Sequence, residues 1–199
     1  MNKLLYLGHA SIRIVTSENK VIYIDPFMGD DYSMSADVIL VTHSHYDHSA
    51  IEKVVNRNSD CKIITNKESL VNGEYKSFDL GYIKVDAVSA GYNKNHDEKE
   101  CVGYLITLSN GVKIYIAGDT YITPYMDDLG HMDIDYAFIP CDGIYTMNTN
   151  EASIAAKKVN AKHTIPYHTK PGEPFDINVA NKLDSETLLI IKPGEEIEL

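Results

Sequence analysis

The strongest constraint on the fold is a cluster of metal-binding side chains that comes directly after a buried apolar segment. The segment Asp37–Thr42 is rich in Val, Ile and Leu and predicts an internal strand. Histidines two positions apart project to the same side of an extended chain and can bind one ion, while the residues that begin the next turn can bind a second. The alternative is a polar loop that happens to be rich in histidine. The four side chains within these six residues are His43, His45, Asp47 and His48.

Length and charge limit the class of protein. With 199 residues, 44% of them hydrophobic, the chain can bury one substantial core, and we expect a single domain over residues 1–199. The formal net charge of -11 and the pI of about 5.1 give an average surface that repels phosphate backbones. Nucleic acid is therefore a disfavoured partner, although bound cations would reverse the charge locally.

The cysteines and the start of the chain favour a reducing compartment. Cys61, Cys101 and Cys141 are odd in number, widely spaced and close to apolar stretches, which is typical of buried thiols rather than of a disulfide framework. The first residues become polar too soon for a signal sequence, and no apolar run approaches the roughly 18 residues of a membrane span. We expect a cytoplasmic protein with no membrane partner.

Short strand-like runs dominate the chain, with a few helical segments between them. The predicted strands are Lys3–Leu7, Ser11–Val15, Lys20–Ile24, Val38–Thr42, Tyr82–Val88, Val102–Leu108, Val112–Ala117, Tyr136–Pro140, His163–Pro166 and Thr187–Ile191, with Ile197 near the end. Helices are predicted from Asp47 or Ser49 to Asn56–Asn58, over Asn150–Val159, over Tyr121–Leu129 and over Ile177–Leu183. The two series of strands resemble each other in style and predict two stacked β/α units.

Two further candidate ligands stand at the ends of predicted strands. Asp119 follows a strand that stops at Gly118, and its two oxygens can bridge two cations. The alternative is that Asp119 caps a helix before Tyr121. His168 also ends a strand, where a lone histidine is more often structural than ligating.

The order of these motifs resembles the metallo-β-lactamase superfamily, whose members carry His-x-His-x-Asp-His, then a third histidine, a bridging aspartate and a last histidine. Three more matches resemble its small metal-dependent hydrolase branch, related to ascorbate-phosphate lactonases. These are Gly8-His9-Ala10-Ser11, Ile24-Asp25-Pro26-Phe27 and Gly118-Asp119-Thr120. The resemblance covers nearly the whole chain and implies an α/β fold, a four-layer αββα sandwich with the site at one edge of the sheets.

The resemblance also implies a ligand set. It puts His43 and His45 on one ion and Asp47, His48 and His168 on the other, with Asp119 bridging. Many relatives place the third ligand of the first ion directly after a strand, but Val88–Asn93 contains no histidine here. His96 is the nearest candidate and is assigned as that ligand; without it the first site would be weaker or completed by water.

Other residues are expected near the site or away from it. His9 and Asp25 are candidates to orient the ligands from behind, although either is also compatible with a turn. Tyr145 either lines the pocket or packs in the core. His131 and His163 have no motif around them and are expected to be structural.

A hydrolase that uses two divalent ions is the leading prediction. Zn²⁺ suits the imidazole-rich ligands, and Mn²⁺ or Fe fits the same set. Two cations sharing Asp119 and a water would lower the pKa of that water from about 15.7 towards about 7, producing hydroxide, and Asp47 would accept the released proton. We expect a small-molecule substrate, namely an ester, a lactone or a phosphate-containing compound. The oligomeric state stays open.

Two other functions stay open at this stage. One is a small-molecule phosphodiesterase. The other is a non-catalytic metal-binding or regulatory protein, which the displaced third histidine favours. A di-iron protein that reduces oxygen or nitric oxide is disfavoured, because such proteins usually have Glu at the position of His45 and an attached flavin domain.

Overall fold

Two six-stranded β-sheets pack face to face in the computed structural model, which describes residues 1–199. The strands are β1 (Lys3–Gly8), β2 (Ser11–Val15), β3 (Val21–Ile24), β4 (Ala36–Leu40), β5 (Arg57–Ile64), β6 (Leu70–Val71), β7 (Glu74–Tyr75), β8 (Ser77–Asp79), β9 (Ile83–Ser89), β10 (Val102–Leu108), β11 (Lys113–Ile116), β12 (Tyr136–Pro140), β13 (His163–Tyr167) and β14 (Glu196–Glu198). The helices are α1 (Asn66–Ser69), α2 (Tyr125–Leu129), α3 (Thr149–Val159) and α4 (Ile177–Ala180), with a 3₁₀ turn at Ile51–Lys53.

The two sheets have related topologies. The first has the order β14-β1-β2-β3-β4-β5 and the second the order β13-β12-β11-β10-β9-β8, while β6 and β7 form a separate hairpin. In each sheet three neighbouring strands are parallel, β3-β4-β5 in the first and β11-β12-β13 in the second. The expectation of two similar halves therefore holds at the level of topology.

The main core lies between the sheets, because alternate strand residues point to opposite faces. It contains 23 buried residues drawn from both sheets. On β10, Tyr104 and Ile106 belong to this core, whereas Leu105 faces a second cluster beneath α2 and α3. Burial on both faces explains why the central strands are almost continuously apolar.

The outer layers of the sandwich are unequal. Helices α2 and α3 cover the second sheet through a cluster of 17 buried residues. A smaller cluster of nine buried residues lies on the outer face of the first sheet. Tyr32 and Val54 of this cluster come from connecting segments and not from an α-helix. The predicted αββα sandwich is confirmed. The helical layer expected over the first sheet is reduced to a 3₁₀ turn.

The helix predicted to run from Asp47 or Ser49 to Asn56–Asn58 is wrong. Only Ile51–Lys53 is helical, and Val55, expected on the apolar face, is 76% exposed. Strand β5 already begins at Arg57, so the connection is too short for a regular helix. The Arg57 guanidinium donates hydrogen bonds to the carbonyls of Val54 (2.7 Å) and Ile51 (2.6 Å), which stabilises the short turn instead.

The remaining elements follow the predictions with a few differences. Helix α3 is confirmed, whereas α2 starts at Tyr125 and α4 ends at Ala180, both shorter than expected. Strand β5 is missed because it is a mostly exposed, polar edge strand. The predicted strand Thr187–Ile191 is wrong: the segment makes one isolated bridge, from Leu188 to Thr164.

The three cysteines are free thiols, and Cys101 and Cys141 are buried as expected. None of the helices combines the length and the apolar character needed to cross a bilayer.

Candidate metal centre

The candidate ligands meet at one edge of the sandwich. Residues 43–48 follow β4, Asp119 follows β11 and His168 follows β13. Parallel strands of one sheet end at the same edge, so loops from both sheets converge there. His96 comes from the loop between β9 and β10, where Asn93 and His96 exchange backbone hydrogen bonds of 3.3 Å.

Unusual backbone conformations turn several side chains towards this edge. His9, Asp25 and His168 directly follow strands and have φ angles of 55°, 44° and 45°. Non-glycine residues rarely adopt this left-handed region, which costs about 1–3 kcal/mol and is typical of functional sites. Gly118 is also required before Asp119, since its φ is 68° and a Cβ there would lie 2.9 Å from the carbonyl oxygen of Val102.

The first half of the centre contains three histidines. His43, His45 and His96 each offer a ring nitrogen, and these three atoms lie within 4.8 Å of one another. The ring centroids are 4.7 Å apart for His43 and His45, 5.1 Å for His43 and His96, and 4.9 Å for His45 and His96. The loop after β9 therefore brings His96 to the place where a third histidine was expected.

The second half contains Asp47, His48 and His168. Their ligand atoms, together with one from His9, lie within 4.8 Å of one another. The rings of His48 and His168 stack, with centroids 5.5 Å apart and planes inclined by 17°. Residues from both sheets therefore build this half, since His48 follows β4 and His168 follows β13.

Asp119 lies between the two halves. Its Oδ1 is 3.3 Å from Nε2 of His48, and its Oδ2 is 3.3 Å from Nε2 of both His96 and His168. The residue is 3% exposed. One carboxylate thus faces histidines from both halves, the arrangement expected of a bridging group; it does not serve as a simple helix cap.

The unpartnered polar atoms of the centre fit bound cations. The Nε2 atoms of four histidines and Oδ1 of Asp119 are buried without a hydrogen-bond partner. Leaving a buried polar group unsatisfied costs about 1–3 kcal/mol, so several such atoms around one space require an explanation. Imidazole nitrogens and carboxylate oxygens are ligands of Zn²⁺ and related divalent ions. The four histidines are His43, His48, His96 and His168.

Asp25 orients one of these histidines from behind. Its Oδ2 lies 2.8 Å from Nδ1 of His48 and also accepts a 2.7 Å hydrogen bond from the Thr42 hydroxyl. Its Oδ1 accepts the backbone N–H of Thr42 at 2.8 Å. With the proton on Nδ1, the lone pair of Nε2 faces the centre, as metal binding requires.

Asp142, which was not predicted from the sequence, lies behind His168 at ion-pair distance. Its buried Oδ2 lies 3.0 Å from Nδ1 of His168. Its Oδ1 accepts three backbone N–H groups, those of Ile144, Tyr145 and Thr146. Asp142 follows β12 as Asp119 follows β11, and its place after a strand is the one signal that could have identified it.

Uncharged side chains contact Nδ1 of the other two buried candidate histidines, His43 and His96. Nδ1 of His43 is 3.0 Å from the Thr42 hydroxyl, which already donates to Asp25 and can therefore accept. Nδ1 of His96 is 3.2 Å from Oδ1 of Asn93. Neither partner was predicted. Every buried candidate histidine therefore has a Nδ1 contact that leaves Nε2 facing the centre.

His9 lies behind Asp47, where an orienting role was expected. Its Nε2 is 3.2 Å from Oδ2 of Asp47, and its Nδ1 is 3.2 Å from the carbonyl oxygen of Glu173. Its ring packs against that of His168, with centroids 3.9 Å apart. Both nitrogens of His9 thus face protein oxygens, and its ring packs beside Asp47 and His168.

Burial and charge shift the pKa values of the candidate ligands in opposite directions. Burial lowers the pKa of His168, but the charge of Asp119 and the contacts with Asp119 and Asp142 outweigh it and raise the pKa to about 9. For His48, the charges of Asp119 and Asp25 likewise outweigh burial and raise the pKa well above its ordinary value. Burial and then the charge of His48 hold the pKa of His43 well below its ordinary value.

A cavity of about 490 Å³ opens over the centre. Its floor includes His45, Asp47 and Asp119, and Tyr145 stands in its wall. Tyr145 is 47% exposed, so of its two sequence interpretations the pocket position applies and core packing does not. His131 and His163 lie on the surface, away from the centre.

Two facing mixed sheets with a histidine and aspartate centre at their common edge define a class of metal-binding sandwich proteins. A family model described as the β-lactamase superfamily domain matches residues 3–168 of the chain. The chain belongs to this family, and the resemblance found in its motifs is confirmed.

Curated relatives and solved structures agree with this assignment. A UPF0173 metal-dependent hydrolase of Pyrococcus furiosus is 33% identical over 229 residues, covering 100% of both chains, and one of Thermococcus onnurineus is 32% identical over 228 residues with the same coverage. A crystal structure from Parabacteroides distasonis is 29% identical, covers 95% of this chain and 91% of its own, and has a TM-score of 0.77. The metallo hydrolase Igni18 of Ignicoccus hospitalis, 20% identical with coverages of 99% and 98% and a TM-score of 0.73, shares the fold.

Proposed function

We propose that this chain is a single-domain hydrolase that holds two divalent cations and cleaves a small ester, lactone or phosphate-containing substrate. The observation that carries the proposal is the set of buried histidine Nε2 atoms that surround Asp119 without hydrogen-bond partners. The names of the curated relatives, metal-dependent hydrolases, support the same reaction class.

The donor atoms divide naturally between two ions. His43, His45 and His96 would hold one ion, and Asp47, His48 and His168 the other, with Asp119 shared. Zn²⁺ suits this imidazole-rich set, which Mn²⁺ or Fe also fits. When bound, such ions supply a water of lowered pKa at neutral pH and polarise a carbonyl or phosphoryl oxygen.

Asp47 is the residue placed to handle protons. Its carboxylate lies on the cavity floor, and its side chain is 18% exposed. Burial alone would raise the pKa of Asp47, but the contact with His9 and the charge of His48 outweigh burial and lower it. Asp47 is therefore ionised at neutral pH, which suits a ligand of a cation. Because a lowered pKa makes it a weak base, we propose that its carboxylate accepts a proton only from a water that the ions have made more acidic.

The chain's other residues hold this geometry and need not change covalently. Asp25 and Asp142 keep their histidines in one tautomer, and His9 keeps Asp47 turned towards the cavity. No serine or cysteine nucleophile is needed. Preorganised charge of this kind is the largest single contribution to catalysis in many enzymes.

Hydrolysis by the zinc-loaded protein tests the proposal. We expect turnover of at least one member of a panel of aryl esters, lactones and phosphodiesters. The His45→Ala and Asp119→Ala variants should lose at least about 100-fold in kcat/KM with the fold retained, since changing even the outer partners of metal ligands costs roughly 10- to 100-fold.

His131→Ala is the matched control, because this histidine is exposed and lies outside the centre. It should keep the activity of the parent protein. Full activity of His45→Ala or Asp119→Ala would contradict the ligand assignment. Bound metal without turnover of any panel member would favour the non-catalytic metal-binding alternative.

A further inference from the structure

The walls of the cavity carry aromatic rings and no basic side chain. None of the ten residues that line it is Lys or Arg, and the only charged groups apart from histidine are the carboxylates of Asp47 and Asp119. Tyr46 and Tyr145 rise from the region of the ligands towards solvent. Beyond the ions themselves, a substrate here therefore meets π faces and carboxylates.

Tyr46 is exposed but braced. Its side chain is 74% exposed, an unusual position for a large aromatic residue between two candidate ligands. Phe27 packs edge-on against its ring, with centroids 5.7 Å apart, and Phe27 in turn contacts the ring of His9 at 5.7 Å. The ring of Tyr46 thus has a supported face and leaves its other surface open to the cavity.

The backbone of Tyr145 is held by Asp142, which also contacts the candidate ligand His168. Its backbone N–H donates a 2.9 Å hydrogen bond to Oδ1 of Asp142, whose other oxygen contacts His168. The neighbouring Ile144 is also 60% exposed. The loop after β12 therefore presents one aromatic residue, Tyr145, to the cavity.

Neither arginine of the chain is free to hold phosphate oxygens, and no lysine lines the cavity. The chain has two arginines: Arg13 pairs with Asp31 at 2.7 Å, and Arg57 binds carbonyls of the 3₁₀ turn. Lys170, next to the lining residue Pro171, lies 3.6 Å from Glu173. Phosphate sites normally rely on Arg or Lys side chains, or on free N–H groups at a helix N-terminus.

At the N-terminus of α3, which follows the Tyr145 loop, side chains of the chain itself accept three of the backbone N–H groups. The side chain of Asn148 accepts from the N–H groups of Asn150 and Glu151, both at 3.0 Å. The side chain of Glu151 accepts the N–H of Asn148 at 2.8 Å, completing a capping box. This helix end is satisfied within the chain.

From these contacts we infer that the site selects an uncharged carboxylic ester or lactone with an aromatic or apolar group, held between Tyr46 and Tyr145, over phosphate esters. This inference rests on the proposed hydrolase function and narrows its substrate class. An uncharged acyl substrate develops a single negative charge in the transition state, which the ions can stabilise. A phosphate ester also carries charge on oxygens that do not bind the ions, and the cavity walls offer those oxygens no lysine or arginine.

Three substrates with one leaving group test the inference: p-nitrophenyl benzoate, p-nitrophenyl phosphate and bis(p-nitrophenyl) phosphate. With the zinc-loaded protein, kcat/KM for the benzoate, corrected for spontaneous hydrolysis, should exceed that for either phosphate by at least about tenfold. Tyr145→Ala should raise KM for the benzoate by about tenfold, which is the scale of one lost aromatic contact. Its kcat for the benzoate should change little.

Tyr75→Ala serves as the control, because Tyr75 is 38% exposed but lies outside this cavity. A kcat/KM for bis(p-nitrophenyl) phosphate equal to or above that for the benzoate would overturn the inference and leave the hydrolase proposal standing. An unchanged KM in Tyr145→Ala would also overturn it. No turnover of any substrate by the metal-loaded protein would instead refute the hydrolase proposal.

Discussion

Asp142 has a separate role for each carboxylate oxygen. Oδ2 contacts Nδ1 of His168, and Oδ1 holds the backbone of the loop that carries Tyr145. One buried residue therefore orients a candidate ligand and a wall of the cavity together. Contacts of this kind explain how the centre keeps four unpartnered Nε2 atoms turned inwards in the folded chain.

The Asp142→Asn substitution separates the two roles. Asn keeps an oxygen that can accept hydrogen bonds from the loop, but its amide nitrogen is a donor and cannot accept a hydrogen bond from Nδ1–H of His168. Zinc affinity, measured by competition with a chromophoric chelator, should fall by roughly 10- to 100-fold. Asp184→Asn is the control, since that side chain is 86% exposed, and it should bind zinc like the parent protein. Unchanged affinity in Asp142→Asn would contradict the orienting role.

The candidate ligands could be predicted from the sequence, but most of their partners could not. Three histidines and an aspartate lie in one short segment, so their spacing alone identifies His43 and His45 as candidate ligands. Thr42, Asn93 and Asp142 are ordinary polar residues whose roles arise only when distant loops approach one another. Motif spacing contains no information about such approaches.

At the scale of elements, local signals predicted α3 better than the segment after the ligand cluster. Asn148 and Glu151 form a capping box, and basic residues occupy the last turn of the helix. The segment 49–56 also has apolar residues at helical spacing, yet it forms only a 3₁₀ turn. The early start of β5 and the hydrogen bonds of Arg57 prevent the helix that the apolar periodicity predicts. These effects depend on neighbouring elements and cannot be read from the segment's own sequence.

The cap of α3 can be tested by the Asn148→Ala substitution. Loss of its two hydrogen bonds to backbone N–H groups should lower the free energy of unfolding by about 1 kcal/mol. Urea unfolding measures the change. Asn150→Ala, an exposed position whose side chain makes no hydrogen bond in the structure, is the control and should stay within about 0.5 kcal/mol of the parent protein. Equal effects at both positions would show that the cap contributes nothing specific.

At the scale of the whole molecule, the centre joins the two sheets. His48 follows a strand of the first sheet, while Asp119 and His168 follow strands of the second. Bound cations would therefore connect the halves of the sandwich, and the energy of binding would add to the stability of the fold. Family membership and the αββα sandwich could be predicted from motif order, whereas the unequal outer layers could not.

This connection makes the stabilisation by metal depend on pH. The pKa of His168 is raised from 6.5 to about 9, so in the metal-free protein its stabilising contribution is complete below pH 6.5 and is lost as the pH rises through about 9. Zinc needs deprotonated imidazoles, so its binding strengthens over the same interval.

Melting temperatures recorded from about pH 6.5 to about pH 9 test this coupling. The metal-free protein should melt at lower temperature as the pH rises, and the increase caused by zinc should grow. A zinc effect that shrinks across this interval would contradict the assignment of His168 as a ligand.

The most direct test of the central claim is a crystal structure of the zinc-loaded protein with anomalous scattering recorded at the zinc edge. Two peaks are predicted, one on each side of Asp119: one among His43, His45 and His96, and the other among Asp47, His48 and His168. A single peak, or none at this edge of the sandwich, would contradict the two-ion account.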